Sequence, residues 1–227
     1  MSPVSGVRVR PTRPEDFAGI IAMCLAVYPE SKPWRVEQLS SHLEVFPEGQ
    51  LVAVTEDERV VGVASSLIIS WNDYEVMGGW GDFTAKGMFT NHDPARGRTL
   101  YGAEVMVHPT EQGSGIGHML YEARREIAKS CGLLRIRAGA RLRGYSEHAS
   151  TMDADSYVRQ VVSGVYGDPT LSFQLREDFH VLAVVPNYLG SDPESQGYAA
   201  VIEWLNREVA TADEVAEAER RWARWEA

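Results

Sequence analysis

The chain has 227 residues, 44% of them hydrophobic, and its 32 acidic side chains outnumber 22 basic ones to give a net charge of −10. This length and composition predict one globular domain over residues 1–227, and the negative charge argues against a nucleic-acid partner bound through phosphate contacts. No apolar run approaches the ~20 residues that span a bilayer and no apolar block follows the N-terminus, so we expect a cytoplasmic protein without a membrane partner.

The first half of the chain alternates strand-like and helix-like segments. Its predicted elements are a strand at residues 7–10, helices at 15–27 and 36–45, and strands at 50–55 and 60–69. Thr12 begins the capping sequence Thr-Arg-Pro-Glu, in which Glu15 would accept a hydrogen bond from the Thr12 amide at the start of the first helix. A polar turn between the last two strands predicts a β-hairpin.

Residues 70–98 interrupt this alternation and form the first of two predicted insertions. The segment is rich in glycine, aspartate, asparagine and aromatic residues, and it shows no sustained hydrophobic period. A long irregular segment inside a compact domain is usually functional or disordered, and the aromatic content argues against disorder. The aromatic residues are Trp71, Tyr74, Trp80, Phe83 and Phe89. We therefore expect an ordered loop here.

The second half continues the alternation around a second insertion at residues 141–169. Its predicted elements are strands at 100–107, 133–140, 181–185 and 198–203 and helices at 116–131, 156–163 and 170–177. A charged helical tail, residues 206–227, can either pack on its own domain or join two copies in a homodimer. Together the elements predict a mixed sheet covered on both faces, which is an α/β or α+β fold.

The most informative stretch is residues 105–117, Val-Met-Val-His-Pro-Thr-Glu-Gln-Gly-Ser-Gly-Ile-Gly, where a strand leads through a glycine-rich turn into a helix. Unpaired N–H groups and the helix dipole bind anions at such a turn, and glycine lets the backbone approach a phosphate closely. The dinucleotide pattern Gly-x-Gly-x-x-Gly fails because His118 occupies its third glycine position, and the nucleotide-triphosphate pattern fails because no Gly-Lys-Ser/Thr follows. The turn therefore predicts another kind of pyrophosphate site.

The pattern Gln-x-x-Gly-x-Gly, formed by Gln112, Gly115 and Gly117, resembles the coenzyme A loop of the GNAT superfamily of N-acetyltransferases. The first helix, the hairpin and the segment 168–179 also fall where that superfamily has them. A closer resemblance is to the acetyltransferase domain that is fused to carbon–nitrogen (nitrilase-type) hydrolases in some bacteria. The sequences that carry it are Thr90-Asn-His-Asp-Pro, Asp168-Pro-Thr-Leu-Ser-Phe and Pro186-Asn-Tyr-Leu.

This resemblance implies a GNAT-like sheet, mixed and mostly antiparallel, with a central splayed parallel pair and helices on both faces. It also implies direct transfer of an acetyl group to a primary amine from acetyl-coenzyme A, which would bind in the gap between strands 100–107 and 133–140. The residues that would hold the cofactor are Val105, Met106 and Val107 along the strand and Gln112, Gly113, Ser114, Gly115, Ile116, Gly117 and His118 in the loop.

Glu104 is the predicted general base, because it lies in a central strand between apolar neighbours where burial would raise the pKa of its carboxyl group. Many superfamily members use a tyrosine as the general acid, but alignment through Phe179 places Gln174 at that position. Tyr145, in the second insertion, is the predicted substitute, with Tyr166 as another candidate. A thiolate can also leave without help from an acid.

Both insertions are expected to frame an acceptor pocket beside the acyl end of the gap. Trp80 and His92 are the predicted substrate contacts, and we expect the acceptor to be a small molecule that carries an amine. No metal is predicted, because neither the histidines nor the two cysteines have the spacing of metal ligands.

A second function stays open beside the enzyme. The chain would then be a catalytically weak module that binds coenzyme A and acts as a regulator or as the partner of a separate hydrolase. The departure at Gln174 favours this reading, whereas the intact glycine loop and Glu104 favour an enzyme.

Overall fold

The computed structural model describes residues 6–29, 31–73, 77–190 and 192–226, so Tyr74 of the first insertion lies outside the described residues. The strands are β1 (Val7–Pro11), β2 (Gln50–Thr55), β3 (Val60–Ile69), β4 (Thr99–Val107), β5 (Arg135–Arg141), β6 (His180–Val185) and β7 (Ala199–Leu205). The helices are α1 (Phe17–Val27), α2 (Val36–Val45), α3 (Trp80–Phe83), α4 (Ile116–Ser130), α5 (Ala154–Val162), α6 (Leu171–Arg176) and α7 (Ala212–Glu226). No helix in these ranges is long and apolar enough to span a membrane.

The seven strands form one sheet in the order β1-β2-β3-β4-β5-β7-β6. Its neighbouring pairs are antiparallel, except that β4 and β5 run parallel near the centre. Parallel neighbours need a crossover connection, and α4 provides it. The predicted mixed and mostly antiparallel sheet is therefore confirmed.

The central parallel pair is joined along only part of its length. Residues 99–102 of β4 pair with residues 135–138 of β5, and Gly102 with Ala138 is the last pair. Beyond this point β4 stays bonded to β3 as far as Val107, and β5 stays bonded to β7 as far as Arg141. The two strands therefore diverge and leave a gap whose closed end lies at the Gly102–Ala138 pair.

A β-bulge in β4 lies at the closed end of this gap. Ser65 of β3 is opposite Glu104 and Ser66 is opposite Gly102, so Ala103 is an extra residue on the β4 side. Strict alternation would turn Glu104 to the same side as Leu100. The extra residue shifts the alternation by one, and Glu104 turns to the opposite side of the sheet.

Helices cover both faces of the sheet and divide its core in two. On one side, here named the α4 face, Leu100 of β4 clusters with Tyr121 of α4 and Leu171 of α6. On the other side, the α1 face, Tyr101 clusters with Ile20 of α1. The alternation of apolar residues along β4 thus supplies both cores, as expected for a central strand.

The start of the first helix differs from the prediction. The Thr12 amide donates to the Gln50 carbonyl (2.9 Å) as part of the sheet, so it cannot take part in the predicted capping box. Asp16 does the capping instead, because its Oδ2 accepts from the Arg13 amide at 2.7 Å while the carboxylate also pairs with Arg10. The predicted box is therefore wrong by one residue, since strand pairing competes successfully for Thr12.

The tail helix α7 begins at Ala212 and packs on its own domain. Trp222 stacks on His180 of β6 with ring centroids 3.9 Å apart, and Arg159 of α5 lies over Trp225 at 4.8 Å. Arg221 reaches the buried carboxylate of Glu203 in β7 at 3.2 Å. These contacts agree with the first of the two predicted arrangements, and a homodimer stays a prediction.

Gly139 of β5 is required by close packing, which gives a stability prediction. A Cβ at this position would lie 2.1 Å from Cζ of Tyr188. The Tyr188 side chain cannot easily move away, because its hydroxyl is hydrogen-bonded to the hydroxyl of Tyr101 in the α1 face. Gly139→Ala should therefore lower the free energy of unfolding by about 1–3 kcal/mol, the usual cost of overpacking. Urea unfolding followed by circular dichroism measures the change.

Gly167→Ala is the matched control, because a Cβ there would meet nothing within 4 Å. Its stability should stay within about 0.5 kcal/mol of the parent protein. Equal stability of the Gly139 and Gly167 variants would contradict the packing described for Tyr188.

Candidate functional site

The turn that leads into α4 presents a row of backbone donors without partners. Gly113 and Gly115 adopt left-handed backbone conformations, with φ of 77° and 97°, and residues 112–114 are exposed. None of the described residues accepts a hydrogen bond from the backbone N–H groups of residues 113–118. The first turn of a helix cannot satisfy these donors internally, and together with the helix dipole they favour an anion.

Side chains around this turn are occupied with structural contacts. Gln112 donates from Nε2 to the last carbonyl of β4 (3.3 Å) and so closes the turn onto the strand. A Cβ on Gly117 would lie 2.9 Å from the ring of Phe173, so this glycine gives room to α6. The His118 ring bonds to the Glu177 carboxylate, with Nδ1 and Oε1 2.9 Å apart. Gly117 and His118 therefore offer a ligand their backbone groups.

The edge of β4 that faces the gap also offers backbone groups. Val105, Met106 and Val107 are paired with β3 on one side, while β5 has diverged on the other. The Met106 side chain is buried in the α1 face, whereas Val105 and Val107 pack against residues of α4. An exposed strand edge binds an extended chain that carries amide groups, and pantetheine is such a chain.

Glu104 lies at the closed end of the gap and is half-buried on the α1 face. Its Oε1 accepts hydrogen bonds from the Tyr28 hydroxyl (3.1 Å) and the Val105 amide (3.0 Å). Burial raises the pKa of its carboxyl group to about 7, although these two hydrogen bonds and the charges of Arg124 and Arg141 oppose the shift. A carboxyl group with this pKa can accept a proton near neutral pH.

The residues around Glu104 come from distant parts of the chain, and no sequence pattern predicted them. Arg141 ends β5, and its guanidinium lies 5.7 Å from the centre of the Tyr28 ring. Asp192 and Glu194, in the loop between β6 and β7, both pair with Arg141. No motif links these positions, and we find no sequence signal that could have identified them.

Trp80 is the predicted substrate residue that the structure brings to the Glu104 strand. Its indole Nε1 donates to the carbonyl of the bulged residue Ala103 (2.9 Å). Its backbone amide donates to the Tyr188 carbonyl (3.0 Å), and its ring lies 5.5 Å from that of Trp34. Trp80 therefore joins the first insertion to the loop after β6 beside the bulge.

His92, the other predicted substrate residue, lies away from this cluster. Its Nδ1 accepts from the Ile68 amide (3.1 Å), and its ring stacks on Phe46 at 4.6 Å. Burial lowers the pKa of the imidazole, which favours the neutral form. Phe46 and Ile68 belong to the α4 face and Trp80 to the α1 face, so the structure does not bring the two predicted substrate residues together.

Tyr145, the predicted acid, is buried in the core of the α4 face. Its hydroxyl donates to the Met152 carbonyl at 3.3 Å, and its ring packs between those of Tyr157 and Tyr198. No contact joins Tyr145 to Glu104 in the part of the chain that the structure describes. The structure therefore gives Tyr145 a packing environment rather than a place beside the gap.

The two insertions have different surroundings, and an acceptor pocket framed by both of them stays a prediction. The first reaches the bulge through Trp80. In the second, Asp168 accepts from the Gly144 amide (2.9 Å) and the Tyr157 hydroxyl (3.0 Å), and the segment closes on itself against α6. The start of the insertion meets the loop between β6 and β7, because Arg141 and Arg143 pair with Glu194 and the Ser146 amide donates to its carbonyl (3.1 Å).

These observations can now be compared with known proteins. The model of the acetyltransferase (GNAT) family matches residues 17–144. The chain belongs to this GNAT family. It is 35% identical over 179 residues to the uncharacterized N-acetyltransferase YkwB of Bacillus subtilis (strain 168), an alignment that covers 79% of this chain and 78% of that protein.

A second relative is the probable hydrolase YhcX of the same organism. It is 42% identical over 198 residues, which cover 87% of this chain, and the chain spans 38% of the length of YhcX. YhcX is much longer than this chain and is named as a hydrolase. Both facts agree with the resemblance to an acetyltransferase domain that is fused to a hydrolase.

Solved structures support the fold. The loading GNATL domain of CurA from Lyngbya majuscula matches with a TM-score of 0.71 and 20% identity over 88% of this chain and 97% of that domain. The GphF GNAT-like decarboxylase in complex with isobutyryl-CoA matches with a TM-score of 0.69 and 19% identity over 87% and 98%. The GNAT-like sheet is therefore confirmed.

The Tyr28–Glu104 hydrogen bond gives a prediction for the titration of Glu104. A donor to the carboxylate favours its charged form, so Tyr28→Phe should raise the Glu104 pKa above about 7, by about one pH unit. Carbon-13 NMR of glutamate-labelled protein over pH 5–9 measures this, with Glu104→Gln to assign the signal. An unchanged titration in Tyr28→Phe would show that the hydroxyl does not donate to Glu104.

Proposed function

We propose that this protein is an acetyl-coenzyme A-dependent N-acetyltransferase that acts on a small molecule with a primary amine. The observation that carries the proposal is the gap between β4 and β5, which runs from the unpartnered amides of residues 113–118 to Glu104. Membership of the GNAT family supports acyl transfer from coenzyme A. Acetyl as the acyl group and an amine as the acceptor are part of the proposal.

The chain offers each part of the cofactor a matching group. The amides of residues 113–118 would hold the pyrophosphate, and the edge of residues 105–107 that faces the gap would bind the pantetheine arm. The bound cofactor would supply an activated thioester. Gly113 leaves open space on its Cβ side, so its backbone can be approached closely. These contacts would direct the thioester toward the closed end of the gap.

Glu104 would remove the proton that the acceptor amine loses as it attacks. With its pKa raised to about 7 by burial, roughly half of the carboxyl groups are ionised at neutral pH, which suits a general base. Cys24 is a poor alternative nucleophile, because burial raises the pKa of its thiol to about 11. Direct transfer to the amine therefore fits this site better than an acyl-cysteine intermediate.

The charges around Glu104 favour a cationic acceptor. Arg141 is paired with both Asp192 and Glu194, and Glu194 also pairs with Arg143, so these four charges balance and an ionised Glu104 adds one negative charge. An amine that arrives as an ammonium ion would then meet the Glu104 carboxylate as the unbalanced charge on the α1 face. This supports an amine acceptor and leaves its remaining structure open.

The second candidate, a coenzyme A-binding module without turnover, shares the loop and the gap. The observation that favours it is Gln174, which occupies the position of the usual tyrosine acid and whose Nε2 donates to the Tyr121 hydroxyl at 2.8 Å. The raised pKa of Glu104 favours the enzyme. The two candidates differ in turnover and not in cofactor binding.

A side chain at Gly113 should weaken binding of coenzyme A. Gly113→Val places a branched side chain where the pyrophosphate would approach, and we expect Kd for coenzyme A to rise by at least about tenfold, equivalent to about 1.4 kcal/mol. Isothermal titration calorimetry with coenzyme A measures the effect.

Gly164→Val is a closely matched control for this variant. Gly164 has a φ of 76° against 77° for Gly113, and in both a Cβ would meet nothing within 4 Å. The control carries the same backbone strain at the end of α5, so its affinity for coenzyme A should stay unchanged. Equal loss of affinity in both variants would remove the support for the loop as the pyrophosphate site.

Replacement of the base should abolish turnover and preserve binding. Glu104→Gln should lower kcat for acetyl transfer by about 10²–10⁴-fold, with the affinity for coenzyme A unchanged. In the parent protein the rate should rise with pH through the Glu104 pKa of about 7, because the carboxylate is the active form. Release of the coenzyme A thiol against a library of small amines measures both.

Glu37→Gln on the exposed side of α2 is the charge-matched control, and it should leave the rate unchanged. Tight binding of acetyl-coenzyme A without thiol release for any amine would overturn the enzyme and support the module.

A further inference from the structure

Arg124 of α4 carries a buried positive charge at the closed end of the gap. Its side chain is 1% exposed. Its Nε donates to the Ser66 hydroxyl (3.0 Å), and its Nη2 donates to the carbonyls of Ser65 and Glu104, which form the register pair next to the bulge. The guanidinium is therefore fixed against both β3 and β4.

This charge has no acidic partner among the residues that the structure describes. The carboxylate of Glu104 is turned to the other face and is bonded to Tyr28, while Arg124 contacts its main-chain carbonyl. Isolated buried charges are costly, and burial lowers the pKa of Arg124. The Tyr121 ring, 5.6 Å from the guanidinium carbon, offers a weak cation–π contact. The positive charge of the Arg124 guanidinium is therefore not neutralised by any described carboxylate.

One end of the guanidinium is still free to donate. Nη1 has no hydrogen-bond partner in the described part of the chain. Nη1 lies next to the backbone of Gly102. A Cβ added to Gly102 would be 2.8 Å from Nη1 and 3.4 Å from the Ala138 side chain. Gly102 and Ala138 are the last pair before the strands diverge. The free N–H groups of Arg124 therefore lie at the end of the gap that the thioester would reach.

The usual proton donor is missing at the same place. Gln174 replaces the tyrosine acid, and its amide donates to the hydroxyl of Tyr121. Burial raises the pKa of Tyr121, so this hydroxyl is a weaker acid than an exposed tyrosine. The chain thus has a fixed cation beside the gap and a poor acid for the leaving group.

We propose that Arg124 stabilises the sulfur of coenzyme A as a thiolate, which lets the leaving group depart without a proton donor. This inference rests on the proposed transferase function. The amine nitrogen forms a bond to the acetyl carbon, the carbon–sulfur bond breaks, and its electron pair stays on sulfur. The proton lost by the nitrogen goes to Glu104, and the thiolate is held by the guanidinium. A preorganised charge of this kind costs no reorganisation during the reaction.

The test measures the product thiol and needs no turnover. Coenzyme A is bound to the intact protein, and the thiolate is followed by its ultraviolet absorbance as the pH is raised. We expect the bound thiol to ionise at least one pH unit below the ordinary value of a free thiol, about 8.5. Calorimetry in buffers of different ionisation enthalpy should show matching proton release on binding at pH 8.

Two variants assign the effect to Arg124. Arg124→Gln should return the bound thiol to the ionisation of free coenzyme A, whereas Arg124→Lys, which keeps the charge, should retain part of the shift. Desulfo-coenzyme A serves as the ligand control, and its affinity should be the same in the parent protein and in Arg124→Gln. A purely structural role for Arg124 would weaken both ligands equally and would overturn the proposal.

The parent protein alone can refute the inference if the variants do not fold. Binding of coenzyme A with an unshifted thiol would overturn the role of Arg124 and leave the proposed transferase intact. A shift that persists in Arg124→Gln would also overturn it. Failure of the parent protein to bind coenzyme A would overturn the proposed function itself, so the two failures are distinguishable.

Discussion

The site depends on one extra residue in the central strand. By placing Ala103 opposite no residue of β3, the bulge turns Glu104 to the α1 face and ends the pairing of β4 with β5. A bulge leaves backbone groups without ladder partners, and here Arg124 binds the carbonyls of Ser65 and Glu104. Trp80 binds the carbonyl of Ala103 from the other face. The irregularity is therefore held from both sides of the sheet.

The same geometry sets the chemistry of Glu104, because it places burial and hydrogen bonding in competition. Burial disfavours the carboxylate, and donation by Tyr28 and by the Val105 amide favours it. Burial is the larger effect, so the pKa rises to about 7. A fully paired carboxylate would have a depressed pKa and would be a weak base. Glu203 of β7 shows this contrast, because its contacts with Arg137 and Arg221 lower the pKa of its carboxyl group although that group is fully buried.

The sequence predicted what local patterns control and missed what the tertiary fold creates. The elements, the hairpin and the anion-binding turn follow from hydrophobic period and glycine placement, which are local. Tyr28 and Glu104 are 76 residues apart in the sequence. Arg141 and Asp192, which form an ion pair, are 51 residues apart. Such contacts leave no spacing signature. Aromatic content alone could not show that Tyr145 packs in the core. A segment whose aromatic side chains are buried against each other can have the same composition as one whose aromatic side chains line a pocket.

The division of the sheet into two faces explains why cofactor and acceptor would not compete for the same groups. The turn before α4 and the Arg124 side chain belong to the α4 face, whereas Tyr28, Trp80 and the carboxylate of Glu104 belong to the α1 face. The gap between β4 and β5 connects them through the sheet. An acyl group held in that gap would therefore be open to an amine from one side while its sulfur faces a cation on the other. The opposite charges on the two faces would draw the proton and the electron pair of the reaction apart.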